Sequence, residues 1–173
     1  MAFDVIPSRI DEEACSERGP AQRAQVLAEA KARSVAAQYP GRWVLGCDTL
    51  VVAPDGSLLE KPSDAREAER MLRLQSGGVS VVHSGLTLIA PDTSVETRLS
   101  SSRVRFKRLS PDEVTWWIGT QLWRDRSGAF QIDGPGQLMI EAIEGDWTGI
   151  VGLPVFLLGE MMKICSFSNR NIA

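Results

Sequence analysis

The chain has 173 residues, is 43% hydrophobic and carries a formal net charge of -3, with a sequence pI near 5.3. That length can bury one sizeable core and is short for two ordinary domains, so a single domain over residues 1–173 is expected. The acidic balance leaves no basic surface large enough to neutralise a polynucleotide backbone, which argues against a nucleic acid polymer as partner and leaves room for one short polyanion such as a mononucleotide.

Cys15, Cys47 and Cys165 are far apart and form no CxxC pair, a pattern that suits a reducing cytoplasm better than a disulfide framework or a zinc site. No apolar run approaches the roughly 18 to 20 residues of a membrane span, and the start lacks the basic-then-apolar layout of a signal peptide. A soluble cytoplasmic protein without a membrane partner is expected. His83 is the only histidine, so catalysis has to lean on carboxylates, lysines, arginines and a hard metal ion.

From Gly19 to Gln38 the apolar and small positions Ala24, Val26, Leu27, Ala30, Ala32, Val35 and Ala36 fit a helical stripe, which Pro40-Gly41 stops. Trp43 to Ala53 reads as a buried strand. Pro54-Asp55-Gly56-Ser57 is turn chemistry and Leu58-Leu59 resumes an apolar stretch, which predicts a hairpin-like reversal. Asp64 to Leu74 places Ala68, Met71, Leu72 and Leu74 on a helical face that ends at Ser76-Gly77-Gly78. Val79 to Ala90 and Val95 to Leu109 predict two neighbouring strands, and Ser110-Pro111-Asp112-Glu113 predicts a helix start. The glycine-rich stretch Gly128 to Gly152 suits bent strands and loops, Leu153 to Ile164 predicts a last helix, and the tail over 166–173 is expected to be loose. This mixed order argues an α/β or α+β class.

Asp48 interrupts Val44-Leu45-Gly46-Cys47 and Leu50-Val51-Val52 in a run that otherwise reads as core strand. A buried carboxylate is costly unless paired, so Asp48 is either a strand-end cap for a neighbouring loop or a general base or metal ligand. Lys61 across the hairpin and Lys31 on the preceding helix are placed to converge on it, although each lysine alone reads as a solvated surface charge. Asp11-Glu12-Glu13 alone reads as a solvated acidic turn.

Gly46-Cys47-Asp48-Thr49-Leu50-Val51-Val52 resembles the G-A-D-T-hydrophobic-V strand of the Maf family, and Asp55-Gly56 with Glu60-Lys61-Pro62 resembles its D-G…[GE]-K-P segment. Met71-Leu72 with Ser76-Gly77, and Val104-Arg105-Phe106 with Leu109, are similar to the family's M-L…L-S-G and V-x-F-x-x-L elements. Asp125-Arg126-Ser127-Gly128-Ala129-Phe130-Gln131-Ile132-Asp133-Gly134 resembles D-K-A-G-A-Y-G-I-Q-G, and Gly145-Asp146-Trp147 with Val151-Gly152-Leu153-Pro154 resembles G-D-Y…V-G-L-P. The resemblance runs in order along essentially the whole chain.

It implies an α/β domain of the Maf/ITPase-like type, a mixed sheet with flanking helices and a central cleft, usually as a homodimer. It also implies cleavage of a nucleoside triphosphate between its α and β phosphates, giving a monophosphate and pyrophosphate. Asp48 then corresponds to the acceptor of the attacking water's proton, and Glu12, Lys31 and Lys61 to its supporting polar cluster. A divalent cation, Mg2+ or Mn2+, is the expected cofactor, because the available ligands are oxygens.

Two positions bear on the base. Thr49 matches the threonine of the dTTP/UTP-preferring branch, whereas the branch resembling 7-methyl-GTP hydrolases tends to carry glutamine there. Asp133 stands where I-Q-G has glutamine, and an ionised aspartate only accepts hydrogen bonds where an amide also donates. Preference between dTTP or UTP and a modified nucleotide therefore stays open. The chain opens on Met1-Ala2-Phe3-Asp4-Val5-Ile6-Pro7-Ser8, which resembles the segment after the family's first helix, so the first strand and the S-x-S-P-R-R loop are expected to be missing. Such a loop at a helix entrance grips anions, and without it the alternative is a catalytically weak nucleotide-binding or partner-binding remnant.

Overall fold

The computed structural model describes residues 2–17 and 19–165, so the expected loose tail at 166–173 lies outside the described residues. The chain runs α1 (Pro20–Ala36), β1 (Val44–Val52), β2 (Leu58–Leu59), α2 (Ala65–Gln75), β3 (Val79–Ile89), β4 (Val95–Phe106), α3 (Pro111–Thr120), β5 (Ile140–Glu144), α4 (Trp147–Val151) and α5 (Val155–Ile164), with short 3-10 turns at Ser127–Ala129 and Gly134–Met139. The strands form one five-stranded sheet in the order β2-β1-β3-β4-β5. Each pairing among them is antiparallel, where the resemblance implied a mixed sheet. Tight turns reverse the chain between β1 and β2 and between β3 and β4, and antiparallel neighbours need no crossover. The α/β class with flanking helices stands as expected.

The local chemistry explains the ends of these elements. Asp55 Oδ1 accepts from the Ser57 amide and hydroxyl in the β1–β2 turn, with Gly56 at φ +88° supplying the left-handed residue. Asp64 caps α2 by accepting from the Glu67 amide, and Ser110 and Glu113 form a reciprocal capping box on α3. β2 pairs only with Val51 and Val52; among the described residues, the pairings on that edge of β1 stop there.

The two faces of the sheet carry different loads. Facing α1 are Val44 and Ile89, packed with Ala32. On the opposite face the larger core gathers Val51, Val82, Val104, Phe106, Leu72, Trp117, Trp123 and Phe130 among others, and a second cluster under α5 joins Leu86, Leu88, Leu158, Met161 and Met162. Phe106 and Phe130 meet edge to face with ring centroids 5.0 Å apart.

Helix α1 sits unusually close to the sheet, and two glycines permit this. A Cβ at Gly46 would collide with the Ala28 carbonyl, and one at Gly85 with the backbone of Ala24 and Gln25. The helix answers with a small-residue stripe: Ala24, Ala28 and Ala32 are all buried. Small side chains on both surfaces bring the two backbones together, and Asp48 lies in the seam, two residues after Gly46 and directly opposite Gly85 in the β1–β3 register.

Candidate active site

Asp48 retains 7% exposure. Its Oδ1 accepts a hydrogen bond from Lys31 Nζ at 2.5 Å, while its Oδ2 is buried and has no hydrogen-bond partner among the described residues. Lys31 is shared, because its Nζ also lies 2.9 Å from Glu12 Oε1. The side chains of Lys31 and Glu12 are 20% and 51% exposed, so the three charges step from core to solvent. One ammonium thus serves two carboxylates.

That sharing sets the proton affinities. Burial pushes the Asp48 carboxyl above the ordinary aspartate range, and the bond from Lys31 opposes this only in part, with Glu12 adding repulsion. Burial alone would pull the Lys31 ammonium down, but the bonds to Asp48 and Glu12 together outweigh it and hold the group above its usual value. An aspartate with raised affinity and a free oxygen is a better proton acceptor than an exposed one.

Of the residues expected at the site, the structure brings Asp48, Lys31 and Glu12 together. Lys61 is exposed and among the described residues makes no ion pair or hydrogen bond with these three. Its neighbour Glu60 explains the course of the chain there: the Glu60 carbonyl accepts from the Gly128 amide at 3.2 Å, and its carboxylate lies 3.8 Å from Arg23 Nη2. Thr49 points to the other face of β1, as alternation in a strand requires, and its hydroxyl shares a 2.9 Å hydrogen bond with Ser84. Asp133 is exposed at the start of the Gly134–Met139 turn. Neither Thr49 nor Asp133 is hydrogen-bonded to the Asp48 cluster among the described residues.

Arg23 is the residue that sequence reasoning missed. It sits eight positions before Lys31, hence on the same side of α1 with Leu27 between them. Its guanidinium donates to the carbonyls of Cys15 at 3.3 Å and Glu12 at 3.2 Å, its buried Nε has no partner among the described residues, and its charge favours the ionised form of Asp48. The i, i+4, i+8 spacing of Arg23, Leu27 and Lys31 was the available signal.

Other chemistry-bearing groups lie elsewhere. Burial, reinforced by Asp48, pushes the Cys47 thiol up to about 11, and its Sγ–H donates to the Gly152 carbonyl at 2.8 Å, an environment that suppresses nucleophilicity. His83 Nδ1 is paired with the Ser101 hydroxyl at 2.9 Å, and no carboxylate hydrogen-bonds it among the described residues. A surface groove of about 510 Å³ lined by Arg66, Glu69, Arg70, Arg73 and Leu74 shares no residue with the Asp48 cluster. Among the described residues no group of three or more His, Cys, Asp or Glu side chains converges as a metal cage, and no helix is long and apolar enough to cross a membrane.

The sequence that builds this site is similar to that of known proteins. Residues 1–165 match the family described as Maf-like protein. The dTTP/UTP pyrophosphatase of Pyrococcus furiosus is 36% identical over 164 residues, covering 94% of this chain and 85% of the relative. That of Koribacter versatilis is 39% identical over 94% of this chain and 83% of its own length, and that of Syntrophotalea carbinolica 42% identical over 94% and 75% respectively. With a match spanning both the sheet and the Asp48 seam, the chain belongs to the Maf-like family.

Proposed function

We infer that the chain is a nucleoside triphosphate pyrophosphatase, hydrolysing dTTP or UTP to the monophosphate and pyrophosphate. The observation that carries this reading is Asp48: a buried carboxylate with one oxygen held by Lys31 and the other free. The names of the relatives, dTTP/UTP pyrophosphatases at 36–42% identity, support the substrate class.

The Asp48 carboxylate takes a proton from water as the water oxygen bonds to the α-phosphorus. The bond from that phosphorus to the bridging oxygen breaks, and pyrophosphate leaves with the electron pair. Lys31 holds the Asp48 carboxylate in place and sets positive charge beside the reacting phosphate, with Glu12 fixing the ammonium from its solvent side. The half-exposed Glu12 carboxylate beside Lys31 would hold a hard divalent cation, Mg2+ or Mn2+, with substrate phosphates and water as its other ligands. Such an ion would supply Lewis acidity toward the phosphate oxygens.

The test is pyrophosphate release from a panel of triphosphates that includes UTP, dTTP, CTP and 7-methyl-GTP, with and without Mg2+ or Mn2+. Turnover of UTP and dTTP above the others supports the reading. Turnover of none, or of the purine alone, contradicts the substrate assignment. Asp133→Gln restores a side chain that donates as well as accepts, and an unchanged ranking in that variant removes Asp133 from base selection.

A further inference from the structure

We propose that Arg23 is a positioning residue, which locks the turn carrying Glu12 so that the Glu12 carboxylate meets Lys31. The proposal rests on the hydrolase reading for its consequence in turnover, and on geometry alone for the lock.

Residues Glu12 to Cys15 form a turn closed by the Cys15 amide donating to the Glu12 carbonyl at 3.3 Å. The Arg23 guanidinium spans that turn, one nitrogen on the carbonyl of its first residue and the other on the carbonyl of its last. A planar fork with fixed donor spacing can hold both carbonyls at once, whereas a lysine ammonium offers a point charge on a flexible stem. Around the turn, Ala14 and Ser16 are exposed and neighbouring Asp11 and Glu13 are solvated, so apolar packing contributes little to holding it. Among the described residues, the side-chain ties of this turn to the rest of the protein are the Arg23 fork and the Lys31–Glu12 ion pair.

The same guanidinium lies 3.8 Å from the Glu60 carboxylate, and Glu60 is in turn tied by its carbonyl to Gly128. Arg23 therefore stands where three segments meet: the Glu12 turn, α1 and the stretch after β2. Its partner on the site side is Glu12, whose share of Lys31 leaves the Asp48 carboxylate only partly compensated. Freed of the fork, the turn would carry Glu12 away from Lys31 and change the charge arrangement around the reacting water.

The experiment compares wild type with Arg23→Gln, Arg23→Lys, Glu12→Gln and the Arg23→Gln/Glu12→Gln double variant. Steady-state kcat and KM for UTP are measured beside amide hydrogen exchange over residues 11–17 and the thermal midpoint. Arg23→Gln is expected to lower kcat between about ten- and a hundredfold, the scale of misplacing a supporting group, and to raise exchange in 11–17 while α1 stays protected. Arg23→Lys is expected not to restore turnover, and the double variant to be no worse than Glu12→Gln alone. Losses that multiply in the double variant, or full rescue by lysine, would overturn the lock in favour of an independent charge effect. Unchanged exchange over 11–17 in Arg23→Gln would overturn it whatever the activity. Should Glu12→Gln and wild type hydrolyse UTP equally, the role of Glu12 in the hydrolase reading fails, and the exchange data still decide whether Arg23 holds the turn.

Discussion

Replacing Lys31 by methionine separates the contribution of the buried charges to stability from their contribution to chemistry. Methionine keeps most of the aliphatic length and removes the ammonium that compensates Asp48 at 2.5 Å. Breaking a buried pair by removing one partner costs about 3–5 kcal/mol, because the remaining charge has no compensation. Lys31 keeps a fifth of its side chain in solvent, and Asp48 can escape part of the penalty by protonating, so the lower end of about 3 kcal/mol applies. For a chain of this size each kcal/mol moves the thermal midpoint by roughly 2–4 °C, giving a drop of about 6–12 °C. The converse change, Asp48→Asn, leaves Lys31 with Glu12 and removes a carboxylate that burial disfavours, so its midpoint should stay level or rise. The assay is thermal unfolding of both variants at neutral pH. A Lys31→Met protein as stable as wild type, or an Asp48→Asn protein destabilised as much as Lys31→Met, would refute the account of an ion pair in which the aspartate bears the burial cost.

Two further outcomes arise from the same geometry. Because the folded Asp48 carboxyl is raised above 3.8, its ionised form appears late on the acid side. The acid limb of kcat against pH should then have its midpoint above the ordinary aspartate value, and stability should fall as pH rises from 3.8 through the raised folded value. Lys31 has the opposite reach: its contribution is complete below 10.5 and is lost as pH climbs through its raised folded value, an alkaline loss of thermal midpoint that Lys31→Met should lack. Gly85→Ala places a methyl against the Ala24–Gln25 backbone, so α1 must lift. A loss of about 1–3 kcal/mol is expected, together with lower turnover as Lys31 leaves Asp48; calorimetry and pyrophosphate release would check both.

Much of this arrangement is legible in the sequence because it stems from periodicity and cost. The α1 stripe, the β1 run and the Ser110 cap each announce their element, and the structure ends them within a few residues of the expected limits. Asp48 stands out because a carboxylate in an apolar strand demands a partner, and the structure supplies Lys31. Thr49 shows the strand period at work: adjacent strand residues face opposite ways, so its hydroxyl meets Ser84 on the face away from Asp48. Glu12 and Arg23 were hard to read because both lie on sequence that looks solvated. Their roles arise only when the Gly46 and Gly85 seam draws α1 onto the sheet and the Glu12 turn folds over it. The stretch after α3 resisted assignment because glycine and backbone hydrogen bonds, not an apolar period, shape its short helices and β5.

The most direct test of the central claim is turnover in Asp48→Asn. The amide is nearly isosteric, keeps Lys31 beside Glu12 and cannot accept the water's proton. Pyrophosphate release from UTP and dTTP should fall by a factor of about 10² or more, with circular dichroism and thermal midpoint showing an intact fold. Near-normal release from a folded Asp48→Asn protein would contradict the assignment of Asp48 as the proton acceptor.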